Sequence, residues 1–236
     1  MTGGLAVVTG ASGGLGAAIA TRLHRTGRPL LLLARRREEM ARLGLDGALL
    51  AAVDVRDEDA VAEALGAATA RFGPVETLVN NAGVLRLGDL ASQPVDDWRA
   101  TLEVNVLAVV GVTRQVLPAM LERQSGTIVV VSSLGARQVF AHESAYCASK
   151  AAVHAMCEAL RLEAAPYGVR VIEIAPGLVE TALVDSTTDA QLRDRYLAGR
   201  RHALDPEAVA EVVGLACDLP QDVCVRELHV AHTRQA

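Results

Sequence analysis

Short, uniformly apolar segments alternate with longer segments of helical periodicity along the whole chain. Strands that are apolar at every position are typical of a parallel sheet covered on both faces. We predict strands at residues 5–8, 30–33, 49–53, 77–79, 127–131, 169–174 and about 225–230. We predict helices at residues 14–25, about 37–43, 57–71, 95–123, 145–165 and 206–219. This alternation predicts a single α/β domain over residues 1–236, with a doubly wound, mainly parallel seven-stranded sheet and helices on both faces.

One segment, residues 176–205, fits neither pattern. It is too long for an ordinary connection between a strand and a helix. It also follows the carboxyl end of a predicted strand, which is where open α/β sheets bind their ligands. We therefore predict that this segment is a substrate lid.

The composition supports a packed core and limits the classes of partner. Apolar residues make up 51% of the chain, and the formal net charge is −5. The longest basic run is residues 35–37, so we expect no nucleic-acid partner. The four cysteines show no C-x-x-C spacing, which favours reduced thiols, and we expect no metal site. With no leader-like segment and no apolar run of about 18 residues, we expect a cytoplasmic protein without a membrane partner.

A glycine-rich turn follows the first predicted strand and opens the first predicted helix. Glycines let the backbone turn sharply and approach a pyrophosphate, whose charge the amino end of a helix favours. The spacing is G-x-x-x-G-x-G, and its position between a strand and a helix predicts dinucleotide binding. The candidate cofactor contacts in this turn are Thr9, Gly10, Ser12, Gly14, Leu15 and Gly16.

The end of the second predicted strand selects between the two nicotinamide cofactors. An acidic residue there favours NAD, whereas an arginine accommodates the 2′-phosphate of NADP. Because Arg35 and Arg36 occupy this position, we predict NADP(H), with Arg35 as the main contact; the alternative is a solvated helix start. After the third strand, Asp54 and Val55 are candidate adenine contacts, although Asp54 could instead cap the following helix.

Tyr146 and Lys150 are four residues apart, so their side chains project from one face of a predicted helix. A phenol has a pKa of about 10, which is too high for acid and base chemistry near neutrality. A lysine ammonium beside it stabilises the phenolate, and we therefore expect the pKa of Tyr146 to be lowered. Alone, this spacing is common on solvated helix faces.

In combination, these motifs resemble the short-chain dehydrogenase/reductase family, which has a Rossmann-type fold. The matching elements occur in the family's order and span most of the chain. They are the glycine turn, residues 80–83, Asn105, residues 132–133, the Tyr146/Lys150 pair, residues 176–177 and Thr181.

The resemblance implies roles for individual residues. Ser133 would bond the substrate oxygen, Tyr146 would exchange a proton with it, and Lys150 would bind the nicotinamide ribose and lower the tyrosine pKa. The backbone carbonyl of Asn105 would hold a relay water, although an asparagine in an apolar helix can also be a satisfied core amide. The remaining cofactor contacts implied are Asn81, Ala82, Gly83, Pro176, Gly177 and Thr181.

The substrate pocket is expected to be mainly apolar, and its candidates are Leu85, Leu134, Phe140, His142, Leu178 and Leu183. His142 is more simply interpreted as a solvent-facing loop residue than as a catalytic one. The leading hypothesis is an NADPH-dependent reductase of a ketone or aldehyde. The tail at residues 227–235 resembles the branch with hydroxy-amino-acid dehydrogenases, so an oxidative hydroxy-acid or hydroxy-amino-acid dehydrogenase is the alternative. A non-catalytic NADP(H) sensor is a third hypothesis, and the resemblance implies a homodimer or homotetramer.

Overall fold

The computed structural model describes residues 3–235, and within them seven parallel strands form one sheet. The strands are β1 (Leu5–Thr9), β2 (Leu30–Ala34), β3 (Leu49–Ala52), β4 (Val75–Asn80), β5 (Gly126–Val131), β6 (Val169–Pro176) and β7 (Glu227–Val230). Their spatial order is β3-β2-β1-β4-β5-β6-β7. Strands are therefore added to the sheet in opposite directions on the two sides of the β1–β4 pair, and ligands bind at this position in such sheets. The predicted single-domain, doubly wound architecture is confirmed.

Helices cover both faces of the sheet. They are α1 (Gly14–His24), α2 (Arg37–Ala41), α3 (Glu58–Phe72), α4 (Val95–Leu102), α5 (Ala108–Glu122), α6 (Ser144–Ala164), α7 (Ala190–Ala198) and α8 (Pro206–Asp218). Alternate strand residues point to opposite faces, so Leu5 and Val7 join one apolar cluster while Ala6 and Val8 join the other. The first cluster packs against α3, α5 and α6, and the second against α1 and α8.

The long helix predicted at residues 95–123 contains a π-helical turn, Glu103–Leu107, between α4 and α5. A π-helical turn holds one more residue than an α-helical turn and often occurs at functional sites. Hydrophobic periodicity does not reveal such a turn, since the flanking segments keep the helical pattern.

Taken together, the helical run Val95–Glu122 is long and apolar enough to cross a bilayer, although it contains no continuous apolar stretch of about 18 residues. A core helix of a soluble protein passes the same test, and 44% of the relevant window is buried inside this fold. The buried residues of α5, including Val109, Val112 and Val116, lie in the core on one face of the sheet.

The predicted lid segment has structure of its own. A short 3₁₀ turn at Leu183–Ser186 precedes α7, and Val179 forms an isolated parallel bridge with Leu204. The backbone N–H of Glu180 also bonds the carbonyl of Leu204 at 2.9 Å. The start and the end of the segment are thus hydrogen-bonded to each other. Between them, α7 places Arg195 and Tyr196 at the cavity.

Candidate active site

The glycine turn after β1 requires glycine at particular positions. Gly10 and Gly14 have φ values of 69° and 51°, which lie in the left-handed region. A Cβ added at Gly16 would lie 2.3 Å from the carbonyl oxygen of Gly10 and 2.5 Å from Nδ2 of Asn81. Such close packing brings the backbone of the turn to the amino end of α1, as an anion-binding turn requires.

Thr9 and Asn81 hold this turn against the end of β4. The Thr9 hydroxyl accepts hydrogen bonds from the backbone N–H groups of Asn81 and Ala82, both at 3.0 Å. The Asn81 amide in turn donates to the carbonyl of Thr9 at 3.0 Å. Thr9 is buried and does not line the cavity, so its side chain shapes the turn, and its contact with a cofactor stays a prediction.

A cavity of about 810 Å³ lies over the carboxyl ends of the strands. It extends from the arginines after β2, past the glycine turn, to α7. Most of the predicted cofactor and catalytic residues line it. They are Gly10, Ser12, Gly14, Leu15, Gly16, Arg35, Arg36, Asp54, Val55, Asn81, Ala82, Gly83, Ser133, Tyr146, Lys150, Pro176, Gly177 and Thr181.

Two arginines border the end of the cavity next to β2. Nη2 of Arg36 donates to the Ser12 hydroxyl at 3.3 Å, which places Arg36 beside the glycine turn. The charge of Arg35 contributes to lowering the pKa of Asp54, although the hydrogen bond from Arg56 is the larger cause. Asp54 does not cap α3 with its side chain, because Asp57 does so by accepting from the Ala60 N–H at 3.0 Å.

Ser133, Tyr146 and Lys150 meet where β5 and α6 approach each other. The Ser133 hydroxyl accepts from the Gly135 N–H at 3.0 Å, which fixes it in a short 3₁₀ turn after β5. Nζ of Lys150 donates to the carbonyl of Val131 at 2.9 Å and lies 5.7 Å from the centre of the Tyr146 ring. The three groups thus occupy the same wall of the cavity.

The electrostatics of the pair differ from the sequence-based expectation. Burial raises the pKa of Tyr146 above its usual range, and the hydrogen bond from Ser133 offsets only part of this rise. Burial also lowers the pKa of Lys150 to about 8. The expected lowering of the tyrosine pKa is therefore wrong for the protein by itself, because removal from water disfavours the phenolate more than these neighbours favour it.

Asn105 lies in the π-helical turn and connects three elements. Its Oδ1 accepts from the Val84 N–H at 2.8 Å, and its Nδ2 donates to the Val84 carbonyl and to the Ser149 hydroxyl, both at 3.0 Å. The side chain is thus a satisfied core amide that fixes α6 one residue before Lys150. Ser149 gave no sequence signal of its own, because an ordinary helix contains many such serines.

The other end of the cavity is lined by both apolar and charged side chains. Leu134, Phe140, Leu178 and Leu183 are among the lining residues, and their contact with a substrate stays a prediction. The lining residues that were not predicted include Glu143 before α6 and Tyr196 on α7. Glu143 precedes Tyr146 by three residues, but its backbone just before α6 is not helical, so spacing alone did not place it in the cavity.

Two predicted pocket residues lie elsewhere. His142 is exposed, and its Nδ1 lies 2.7 Å from a carboxylate oxygen of Asp89. Its backbone has a φ of 65°, so the chain turns just before α6 and directs this side chain away from the cavity. Leu85 is 1% exposed and packs with Tyr146 and Val184 behind the cavity wall.

The base of the lid is fixed to the cofactor side. Nη1 of Arg200 donates to the Thr181 carbonyl at 3.0 Å, and its Nη2 donates to the carbonyl of Val179. A Cβ at Gly14 would lie 3.0 Å from the Thr181 side chain, so Thr181 packs directly on the glycine turn. Near the carboxyl terminus, Gln235 accepts from the Leu178 N–H at 3.1 Å.

Comparison with known proteins decides the family. The family described as short chain dehydrogenase matches residues 4–192. This chain belongs to that family. It is therefore an NAD(P)-dependent oxidoreductase, in agreement with the dinucleotide-type turn and the cavity beside it.

Related proteins cover the whole chain. An uncharacterised oxidoreductase of Staphylococcus aureus (strain MW2) is 33% identical over 234 residues, which are 98% of this chain and 97% of that protein. The closed form of a serine dehydrogenase complexed with NADP+ is 30% identical, with a TM-score of 0.91 over 98% of this chain and 96% of that one. A 3-ketoacyl-(acyl-carrier-protein) reductase from Brucella melitensis, complexed with NADH, is also 30% identical, with a TM-score of 0.87 over 100% and 99% of the two chains.

Proposed function

We propose that this short-chain dehydrogenase interconverts a ketone or aldehyde and the matching alcohol with NADP(H), using Tyr146 as general acid and base. The observation that supports this most directly is that Ser133, Tyr146 and Lys150 line the same cavity as the glycine turn. A cofactor-sensing protein would need only the turn and the arginines, not a serine beside a buried tyrosine and a buried lysine on one wall.

In the reductive direction, the Tyr146 hydroxyl donates its proton to the carbonyl oxygen while the Ser133 hydroxyl bonds the same oxygen. Lys150, anchored to the Val131 carbonyl, places positive charge beside the tyrosine. When bound, the nicotinamide supplies the hydride to the carbonyl carbon and, once oxidised, a positive charge that favours the phenolate. In the oxidative direction, the Tyr146 phenolate removes the alcohol proton.

The choice of NADP(H) over NAD(H) rests on Arg35 and Arg36. Both line the cavity at the end of β2, where a 2′-phosphate would need positive charge. The acidic residue nearby, Asp54, is already paired with Arg56 at 2.7 Å. That carboxylate is therefore poorly placed to accept hydrogen bonds from a free ribose hydroxyl.

A panel of ketones and aldehydes, followed by nicotinamide absorbance with each cofactor, tests the proposal. We expect turnover with NADPH, and a Tyr146→Phe variant should lose about 10²–10⁴-fold in kcat while still binding the cofactor. An Arg35→Ala/Arg36→Ala double variant should weaken NADPH binding at least about tenfold and leave NADH binding nearly unchanged. Turnover by Tyr146→Phe near that of the wild type would refute the proton-transfer role. Equal losses for both cofactors would refute the arginine assignment.

A second candidate is oxidation of a hydroxy acid or hydroxy amino acid, which the similarity to the serine dehydrogenase favours. The same panel extended to L- and D-serine and threonine with NADP+ separates the two. Faster oxidation of these acids than reduction of any neutral carbonyl would favour the second candidate.

Two expectations from the sequence remain proposals. We propose a homodimer or homotetramer because apolar side chains on the long helices are exposed, among them Leu107 at 62% and Leu162 at 79%. The cytoplasmic location stays a prediction.

A further inference from the structure

Glu143 places a carboxyl group in the substrate end of the cavity. It is the residue immediately before α6, three positions from Tyr146 and seven from Lys150, and all three residues line the cavity. Lys150 contacts the backbone of β5, toward the cofactor side. Glu143 therefore lies on the opposite side of Tyr146, beside Phe140 and the lid residue Tyr196.

Most other buried or half-buried carboxylates of this chain have partners. Asp97 lies 2.5 Å from Arg86, and the fully buried Glu173 lies 2.7 Å from His154. Glu227 pairs with Arg137 at 2.7 Å. By contrast, within residues 3–235 the Glu143 carboxyl has neither a hydrogen bond nor an ion pair, and burial alone raises its pKa to about 7.

An unpaired carboxyl in a partly apolar cavity is costly, and a ligand of opposite charge removes that cost. The aromatic ring of Phe140, which lines the same end, also favours a cation, whereas the ring of Tyr196 already lies 5.6 Å from the Arg200 guanidinium. We infer that Glu143 selects substrates that carry a protonated amine near the reacting carbonyl or carbinol carbon. This inference rests on the proposed function, because it assigns the substrate class of the same site.

The spacing limits where the amine stands. Residues three apart on a helix have Cβ atoms about 5–6 Å apart, so the ammonium group belongs one to three carbons from the oxygen that Tyr146 protonates. Aminoacetone and 4-amino-2-butanone meet this condition. Their neutral isosteres, butanone and 2-pentanone, replace the ammonium group with a methyl group.

The kinetic test compares kcat/KM for each amino ketone with that of its isostere, in the wild type and in Glu143→Gln. We expect the wild type to prefer the amino ketone of at least one pair by about tenfold or more, and the preference to disappear in Glu143→Gln. Glu180→Gln removes the same charge from an exposed position outside the cavity and should leave the preference intact.

A binding measurement separates this inference from the proposed function. With NADP+ present, 1-amino-2-propanol should bind the wild type at least about tenfold tighter than 2-butanol, and Glu143→Gln should bind both equally. Absence of turnover for every carbonyl would overturn the proposed function, while this binding difference would still support the role of Glu143. Equal binding of amine and isostere by the wild type, or a preference that persists in Glu143→Gln, would overturn the inference.

Stability against pH provides a readout without any ligand. The ionisable groups around Glu143 are Tyr146 and Cys147 on α6, and Arg195, Tyr196 and Arg200 on the lid. Because the folded pKa of Glu143 is raised from 4.5 to about 7, its protonated form stabilises the fold, and this contribution is lost as pH rises from about 4.5 through 7. The stability of Glu143→Gln relative to the wild type should therefore increase over that range.

Arg195 provides the competing explanation, since its side chain lines the same cavity. If movement of the lid paired Arg195 with Glu143, the site would be neutral. A wild type without amine preference that gains one on Arg195→Gln would overturn the inference in favour of that internal pair. A flat difference in stability between pH 4.5 and 7 would overturn it as well, because the carboxyl would then be hydrated.

Discussion

The two ends of the cavity are built in different ways. At the cofactor end, Thr9, Asn81 and Asn105 each make two or more hydrogen bonds to backbone or side chains, and the glycine turn is packed against Asn81. At the substrate end, the Glu143 carboxyl has no polar partner within the described part of the chain, and Phe140 is 43% exposed. The cofactor is the same in every catalytic cycle, which suits a binding surface whose polar groups are already hydrogen-bonded. At the substrate end, the unpaired carboxyl is a group whose partner a bound substrate supplies.

The largest effect on stability is expected for Asn105→Ala, which removes hydrogen bonds at the cofactor end. The substitution leaves the partly buried backbone N–H and C=O of Val84 without side-chain partners and removes one of the two bonds of the buried Ser149 hydroxyl, which keeps its bond to the Tyr146 carbonyl. We expect a loss of about 2–4 kcal/mol in the free energy of unfolding, measured by urea titration. Gln115→Ala on the same helical run removes one bond to the carbonyl of Glu58 and should cost about 1 kcal/mol or less. Equal losses of unfolding free energy in the two variants would show that the network around Asn105 contributes no more to stability than the single bond of Gln115.

A smaller effect is expected in Gly16→Ala, which acts on the packing of the turn. The new Cβ would overlap the Gly10 carbonyl and the Asn81 amide, so the turn must shift away from its bound shape. The dissociation constant for NADPH should rise at least about tenfold in a fluorescence titration.

Gly66→Ala is the matched control for this variant. Gly66 lies inside α3 with open space around its Cβ position, so this change should leave the dissociation constant unaltered. It should raise stability by about 0.5–1 kcal/mol, because alanine restricts the unfolded chain. Unchanged NADPH binding by Gly16→Ala would mean that the turn is not the rigid surface described above.

The smallest effect is expected at the rim of the substrate end, in His142→Asn. Asparagine tolerates the positive φ and removes only the exposed pair with Asp89. We expect a stability change below about 1 kcal/mol and a kcat/KM within about threefold of the wild type. A tenfold loss in kcat/KM with unchanged stability would place His142 in the substrate site after all and would weaken the contrast between the two ends.

The same contrast explains how much the sequence could predict. Local spacing identified the glycine turn and the Tyr146/Lys150 pair, because the chemistry of each requires fixed residue types at neighbouring positions. Asn105 was recognised through resemblance, but its partner Ser149 lies 44 residues away and has no distinctive pattern. Proximity to Tyr146 in sequence suggested His142 as a pocket residue and did not suggest Glu143. The direction of each side chain depends on the turn before α6, which residue types alone do not determine.

The π-helical turn also determines where this part of the chain can lose a residue. Because the turn holds one more residue than an α-helical turn, deleting one residue from Glu103–Leu107 would restore a regular α-helix and leave the segments on either side facing as they do now. The contact of Asp97 with Arg86 and the burial of Thr101 would then be kept, whereas the bonds of Asn105 would be lost or displaced. A deletion in the regular part of α5 would instead rotate the preceding helix by about 100° and turn Asp97 and Thr101 away from their contacts.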